Sequence, residues 1–180
     1  AIILHNGSIA EMKTGEGKTL VATMALYLNA LEGKGAMLVT PNGYLASRDK
    51  KELAPVYEWL GLSVSLAFAE EKDSKKKITA KTKRKWYNSD IVYTTASSLA
   101  FDYLFNNLAS SKENQYLRPF NYVIVDEVDE VLLDEAQTPF VVSSSPNVQS
   151  NLYHLADQFV RLLDPEVDYV FKKDDQLFWL

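Results

Sequence analysis

Hydrophobic positions in this chain alternate between short continuous runs and longer stretches with helical spacing. Ser8–Met12 is a short strand candidate. From Thr19 to Glu32 the apolar residues Leu20, Met24, Tyr27, Leu28 and Leu31 recur at three and four, which predicts a helix with one apolar face. Gly33 and Gly35 end it. Ala36–Thr40 is a continuous apolar run closing on a β-branched residue, as in a buried parallel strand. Pro41-Asn42-Gly43 is turn chemistry, and a helix from Tyr44 towards Trp59 follows, disturbed at Pro55 and stopped at Gly61. Leu62–Phe68 alternates apolar and polar and predicts a strand. Asp90–Thr94 predicts another, and Ser97 or Ser98 is placed to cap a helix through Leu104. Tyr122-Val123-Ile124-Val125 is the most apolar β-branched run and predicts a central strand.

Strands and helices thus alternate roughly every 25–30 residues, which argues for a parallel sheet covered on both faces. Such sheets bind ligands at the carboxyl ends of their strands. The 180 residues suffice for one packed domain and a fragment of a second, and a 47% hydrophobic content supports a sizeable core. The net charge of −5 carries no global signature of nucleic-acid binding. Cysteine is absent, which excludes disulfides and thiolate metal sites. No apolar run is long enough to cross a bilayer as a helix. The opening Ala-Ile-Ile-Leu and the closing Phe-Trp-Leu read as the edges of a piece from a longer protein.

Chemistry enters at Met12-Lys13-Thr14-Gly15-Glu16-Gly17-Lys18-Thr19, between a strand candidate and a helix. The strict phosphate-loop pattern G-x-x-x-x-G-K-[ST] fails only at its first position, where Met12 stands. Two glycines let the backbone turn and aim its N–H groups at an anion, and the following helix adds its own N-terminal N–H groups. Thr14, Gly15, Glu16, Gly17, Lys18 and Thr19 are the expected nucleotide-binding residues. Lys18 reaches the outer phosphates and the Thr19 hydroxyl holds Mg2+. The companion is Asp126-Glu127 at the end of the 122–125 run. Two adjacent carboxylates at a buried strand end are costly unless a cation or hydrogen bonds compensate them, and magnesium with a triphosphate is the obvious compensation. Asp126 is the expected second metal ligand and Glu127 the expected general base. Asp129 either couples nucleotide state to the rest of the protein or caps the next helix.

These residues and their neighbours carry a family resemblance. Gly7-x-Ile9-Ala10-Glu11-Met12 running through the loop to Leu20 resembles the nucleotide loop of SecA, the motor ATPase of bacterial protein export. Tyr27-Leu28-Asn29-Ala30-Leu31, Tyr44-Leu45-Ala46-x-Arg48-Asp49, Phe101-Asp102-Tyr103-Leu104 and Val125-Asp126-Glu127-Val128-Asp129 match too. So does Leu133-Asp134-Glu135-Ala136-x-Thr138-Pro139, which is specific to this family. Departures at Gly43, Ser47, Ala96–Leu99, Gln137 and Ser143–Ser145 resemble the accessory SecA of some Gram-positive bacteria.

The resemblance implies an α/β three-layer P-loop NTPase sheet of RecA/helicase type, followed by the start of an inserted α+β preprotein-binding domain. Residues 1–145 would be the first motor domain and 146–180 the beginning of the insertion. A helix over Val148–Leu163 and strands at Tyr169–Phe171 and Leu177–Leu180, joined by the Lys172–Gln176 turn, would fit it. The implied function is an ATPase coupled to translocation of unfolded preproteins through a SecY-type channel. Its cofactors are ATP and Mg2+, and its place is cytoplasmic, peripherally on the anionic cytoplasmic face of the plasma membrane. The isolated piece would be weak or inactive. The alternative is a helicase-type ATPase of the same superfamily, which the acidic net charge disfavours. The lysines from Lys72 to Lys85 read as a solvated helix face. Arg48 reads as a polymer contact or a surface ion pair, and His5 and His154 as surface or packing residues. Tyr44, Tyr57 and Trp59 are expected in or beside the core, with Trp86 and Tyr87 packing rather than stacking on bases.

Overall fold

A computed structural model describes residues 1–69, 78–142, 151–164, 167–168, 170–172 and 177–179. Two compact units divide at Phe140–Val141. In the first, a short helix α1 (Ile2–His5) precedes α2 (Lys18–Ala30), β1 (Ala36–Thr40), α3 (Gly43–Trp59) and β2 (Val64–Leu66). Then come α4 (Ala80–Tyr87), β3 (Ile91–Thr95), α5 (Ala96–Asn107) and β4 (Tyr122–Val125). In the second unit, α6 (Asn151–Val160) is followed by β5 (Val170–Lys172) and β6 (Leu177–Trp179), an antiparallel pair. The turn predicted between these strands lies largely outside the described residues.

The four strands of the first unit form one parallel sheet in the order β2-β3-β1-β4. β1 and β3 are buried at every position. Alternate residues feed two cores, as strand pleating requires. Leu38, Ile91, Tyr93 and Ile124 meet Ala25, Leu26, Ala46, Leu53 and Tyr57 of α2 and α3. Met37, Val92 and Ala67 meet Tyr87 and Tyr116, with Trp86 and Leu99 packed alongside. The fold is therefore a three-layer α/β sandwich around a parallel sheet.

Several sequence expectations change. Ser8–Met12 makes no strand, and Ile9 is 80% exposed: among the described residues no strand pairs with this segment. β4 is an edge of the described sheet rather than a central strand, and Val123 is half-exposed. An apolar run does not report whether both edges of a strand are paired.

On α2 the large residues Leu20, Met24, Leu28 and Leu31 point outward. The buried face is Ala22, Ala25, Leu26, Asn29 and Ala30, which has the same helical period. Small side chains let α2 approach the sheet closely, so the bulkier stripe was the wrong one to choose. Trp59 and Tyr44 stand 85% and 75% exposed, whereas Tyr57 is fully buried. The cap of α5 is Thr95, whose Oγ1 accepts the Ser98 N–H at 3.1 Å, not Ser97 or Ser98. Asp129 occupies the cap position of a π-helical turn, Glu130–Asp134, without a side-chain cap bond.

On the second face, Lys83 leaves the solvated row to pair with Asp102, a 4% exposed carboxylate on α5. Tyr87 donates its hydroxyl to the same carboxylate at 2.7 Å, and Tyr116 approaches it at 3.3 Å. One buried acid thereby ties α4, α5 and the segment leading into β4 together. Burial, and then the Asp102 charge, push the Tyr87 hydroxyl up, so it stays a donor. Lys81 and Lys85 remain exposed, and Lys72, Lys75, Lys76 and Lys77 lie outside the described residues.

Candidate functional site

The parallel register sets the C-terminal ends of β1, β3 and β4 side by side. Thr40 is opposite Thr95, and Val39 opposite Val125. The backbone of Asp126 continues that ladder, its N–H donating to Val39 O at 2.8 Å. At this edge the N-terminus of α2 also arrives. Gly15 and Gly17 adopt φ of 85° and 81°, a region that side chains with a Cβ disfavour. Gly17 caps α2 without any side-chain bond, so the first-turn N–H groups stay open to an anion. By contrast, α3, α4 and α5 are capped by Asn42, Thr79 and Thr95. Within the loop, Glu16 folds back so that Oε2 accepts the Lys13 N–H at 2.9 Å.

Between loop and strand end lies a cavity of about 660 Å3, within the usual range for small-molecule sites. Thr14, Lys18, Thr19, Asp126 and Glu127 line it, as do Met12, Lys13, Val128 and Asp129. Gly15, Glu16 and Gly17 shape the turn but are not in its wall. The two halves of the site meet directly: Lys18 Nζ donates to Glu127 Oε1 at 2.9 Å, across 109 residues of sequence. That bond is the main cause holding the Lys18 ammonium above its usual range, with burial opposing it. Both side chains are more than a third exposed, so the pair adds little stability. It orders two side chains.

Glu127 has φ of 49°, the one positive value at a non-glycine residue among those described. Such strain marks a position over-determined by its surroundings. The turn carries the Glu127 side chain back over the loop towards Lys18, and Asp126 Oδ1 accepts the Glu127 N–H at 3.1 Å. Burial, then the neighbouring Glu127 charge, raise the Asp126 carboxyl above the usual carboxylate range. A carboxyl raised on folding favours the fold below its unfolded pKa and loses that contribution as pH rises through the folded value. Ionised Asp126 therefore burdens the fold, and a cation beside it would relieve that burden.

Among the described residues no group of three or more His, Cys, Asp or Glu side chains is poised as a metal cage. Instead a carboxylate (Asp126) and a hydroxyl (Thr19) line the same cavity. That donor set fits Mg2+, which is held by one or two protein oxygens plus substrate phosphates and water.

Sequence reasoning gave no site role to a buried acid of the cavity wall. Asp49 of α3 is 3% exposed and lines the cavity. Its signal was available, because a charged residue falls in the stripe Ala46, Asp49, Leu53, Tyr57 that packs on the sheet. Arg48 lies beside it as its ion-pair partner, with Nη2 at 2.7 Å from Asp49 Oδ1. His5 Nδ1 lies 3.2 Å from Asn29 Oδ1 and has no part in the cavity wall.

Comparison with known proteins gives the family. Residues 1–175 match the family described as SecA DEAD-like domain. The whole chain is 99% identical to a stretch of the protein translocase subunit SecA 2 of Lactobacillus johnsonii, covering 23% of that protein. It is 56% identical to the SecA 2 subunit of Streptococcus gordonii and 53% identical to that of Staphylococcus aureus, covering all of the chain and 22% of each relative. The chain thus spans less than a quarter of the length of these curated relatives. With a match running from residue 1 to residue 175, the chain belongs to the SecA DEAD-like domain family.

Proposed function

We propose that this chain is the first nucleotide-binding part of a motor that couples ATP hydrolysis to the passage of unfolded preproteins through a SecY-type channel. The observation that carries the reading is the 2.9 Å contact of Lys18 Nζ with Glu127 Oε1 inside the cavity, in a chain of the SecA family. It supports a single site built from the loop and the strand end.

In this reading the N–H groups of Gly15 and of Gly17–Thr19 bind phosphate oxygens, and Thr14 lines the approach. Lys18 leaves Glu127 for the outer phosphates. Thr19 and Asp126 hold Mg2+, which when bound neutralises charge developing on the phosphates. Glu127, released from Lys18, orients the attacking water and accepts its proton on a carboxylate oxygen. The lysine and the base therefore change partners once per nucleotide.

We assign residues 1–145 to the motor domain and residues 146–180 to the beginning of the preprotein-binding domain. No helix among the described residues is long and apolar enough to cross a membrane. The proposed place is the cytoplasmic face of the plasma membrane, held peripherally by channel and anionic lipid. Full turnover belongs to the intact protein, and the isolated chain hydrolyses ATP weakly or not at all.

The test is ATP turnover by the intact protein with proteoliposomes that contain anionic lipid and the channel. The reading expects stimulation when preprotein and channel are present together. Stimulation by single-stranded RNA, with none by preprotein and channel, would overturn it in favour of a helicase-type ATPase.

A further inference from the structure

We propose that Asp49 is a positioning carboxylate of the nucleotide site, one that would act on the hydration shell of the divalent cation that Thr19 and Asp126 would hold; the inference rests on the nucleotide reading above. Three observations carry it. Asp49 is 3% exposed and falls in the sheet-facing stripe of α3, where an apolar residue would serve packing better. A buried carboxylate there needs a reason beyond the fold. Its side chain lines the cavity that also holds Thr19 and Asp126. Among the described residues its ion-pair partner is Arg48, whose Nε and Nη2 both donate to the same oxygen, Oδ1, at 2.9 and 2.7 Å.

The Arg48 side chain is half-exposed, and both of its contacts fall on Oδ1 of this cavity-wall residue. Asp49 and Asp126 line the same cavity. Two like charges so placed repel, and a hydrated dication between them turns the repulsion into attraction. Mg2+ keeps most of its water, so a second carboxylate acts through those waters and not as a direct ligand. Arg48 then sets how much of the Asp49 charge reaches the ion.

The experiment follows ADP binding to the intact protein by calorimetry, as free Mg2+ is raised from a chelated baseline. The midpoint of the Mg2+ dependence is the readout, and no turnover is needed. Asp49→Asn should shift that midpoint upward by about ten- to a hundredfold, the range for outer-shell partners of a metal. Its ADP affinity without Mg2+ should be unchanged or tighter, since a negative charge near the phosphates is gone. Arg48→Gln leaves Asp49 in place and should lower the midpoint. This second variant keeps the test decisive if Asp49→Asn does not fold. An unchanged midpoint in a folded Asp49→Asn, or in Arg48→Gln, would overturn the proposal. Lys18→Ala separates the two levels: if it binds ADP as the unmutated protein does, the nucleotide reading has failed. If it loses ADP while Asp49→Asn follows the unmutated curve, only the role of Asp49 has failed.

Discussion

Glu127→Gln should lower the ATP turnover of the intact protein by about a hundred- to ten-thousandfold while leaving nucleotide binding intact. The amide is isosteric, so the left-handed turn at residue 127 and the Asp126–Glu127 backbone contact can persist. What is lost is the ability to accept a proton from water. Binding is expected to hold or to tighten, because Lys18 Nζ is paired with the Glu127 carboxylate at 2.9 Å. Nucleotide must break that pair before Lys18 can meet a phosphate. The pair is partly exposed and so is worth at most about 1 kcal/mol, which limits the gain to about fivefold in affinity. Rapid-mix turnover and equilibrium binding on one preparation check both halves. Equal losses in turnover and in binding would instead make Glu127 a binding residue.

The second large effect lies away from the cavity. Asp102→Ala should destabilise the fold by about 3–5 kcal/mol, because it strands groups that are buried for the sake of that carboxylate. Lys83 loses its ion-pair partner, and the hydroxyls of Tyr87 and Tyr116 lose an acceptor. Lys83 also lies 5.1 Å from the centre of the Tyr116 ring, so its displacement disturbs a cation–π contact as well. Asp102→Asn keeps an acceptor for Tyr87 and should cost less, on the order of 1–3 kcal/mol. Thermal unfolding of the two variants beside the unmutated chain gives the order. If both match the unmutated chain, the buried network is not holding α4, α5 and the segment before β4 together.

How far the sequence could be read depended on whether the signal was local. Gly15, Gly17 and Lys18 are legible because a left-handed turn leading into a helix N-terminus demands those residue types within a few positions. Asp126 and Glu127 are legible because two acids at the end of an apolar strand require compensation. The contact between Lys18 and Glu127 spans 109 residues and is a product of the sheet order, so the motifs implied a shared site without giving its geometry. Where residue size competed with residue period, the sequence misled. Leu20, Met24, Leu28 and Leu31 make a convincing apolar stripe, yet α2 packs by its alanines because these allow close approach to β1. Apolar character likewise carried no information on strand neighbours, which is why β4 looked central and lies at an edge. Asp49 was overlooked because its motif was read for resemblance, while its burial follows only from the face α3 turns to the sheet.

The most direct measurement of the central claim is a calorimetric titration of Mg-ADP into the intact protein and into Lys18→Ala. The account predicts saturable binding to the unmutated protein, and a loss of affinity of at least about tenfold in the variant, since charge-assisted contacts to phosphate are worth about 1.5–3 kcal/mol each. Equal affinity in both would contradict it, and would mean that nucleotide does not occupy the cavity between the Gly15–Thr19 loop and Asp126-Glu127.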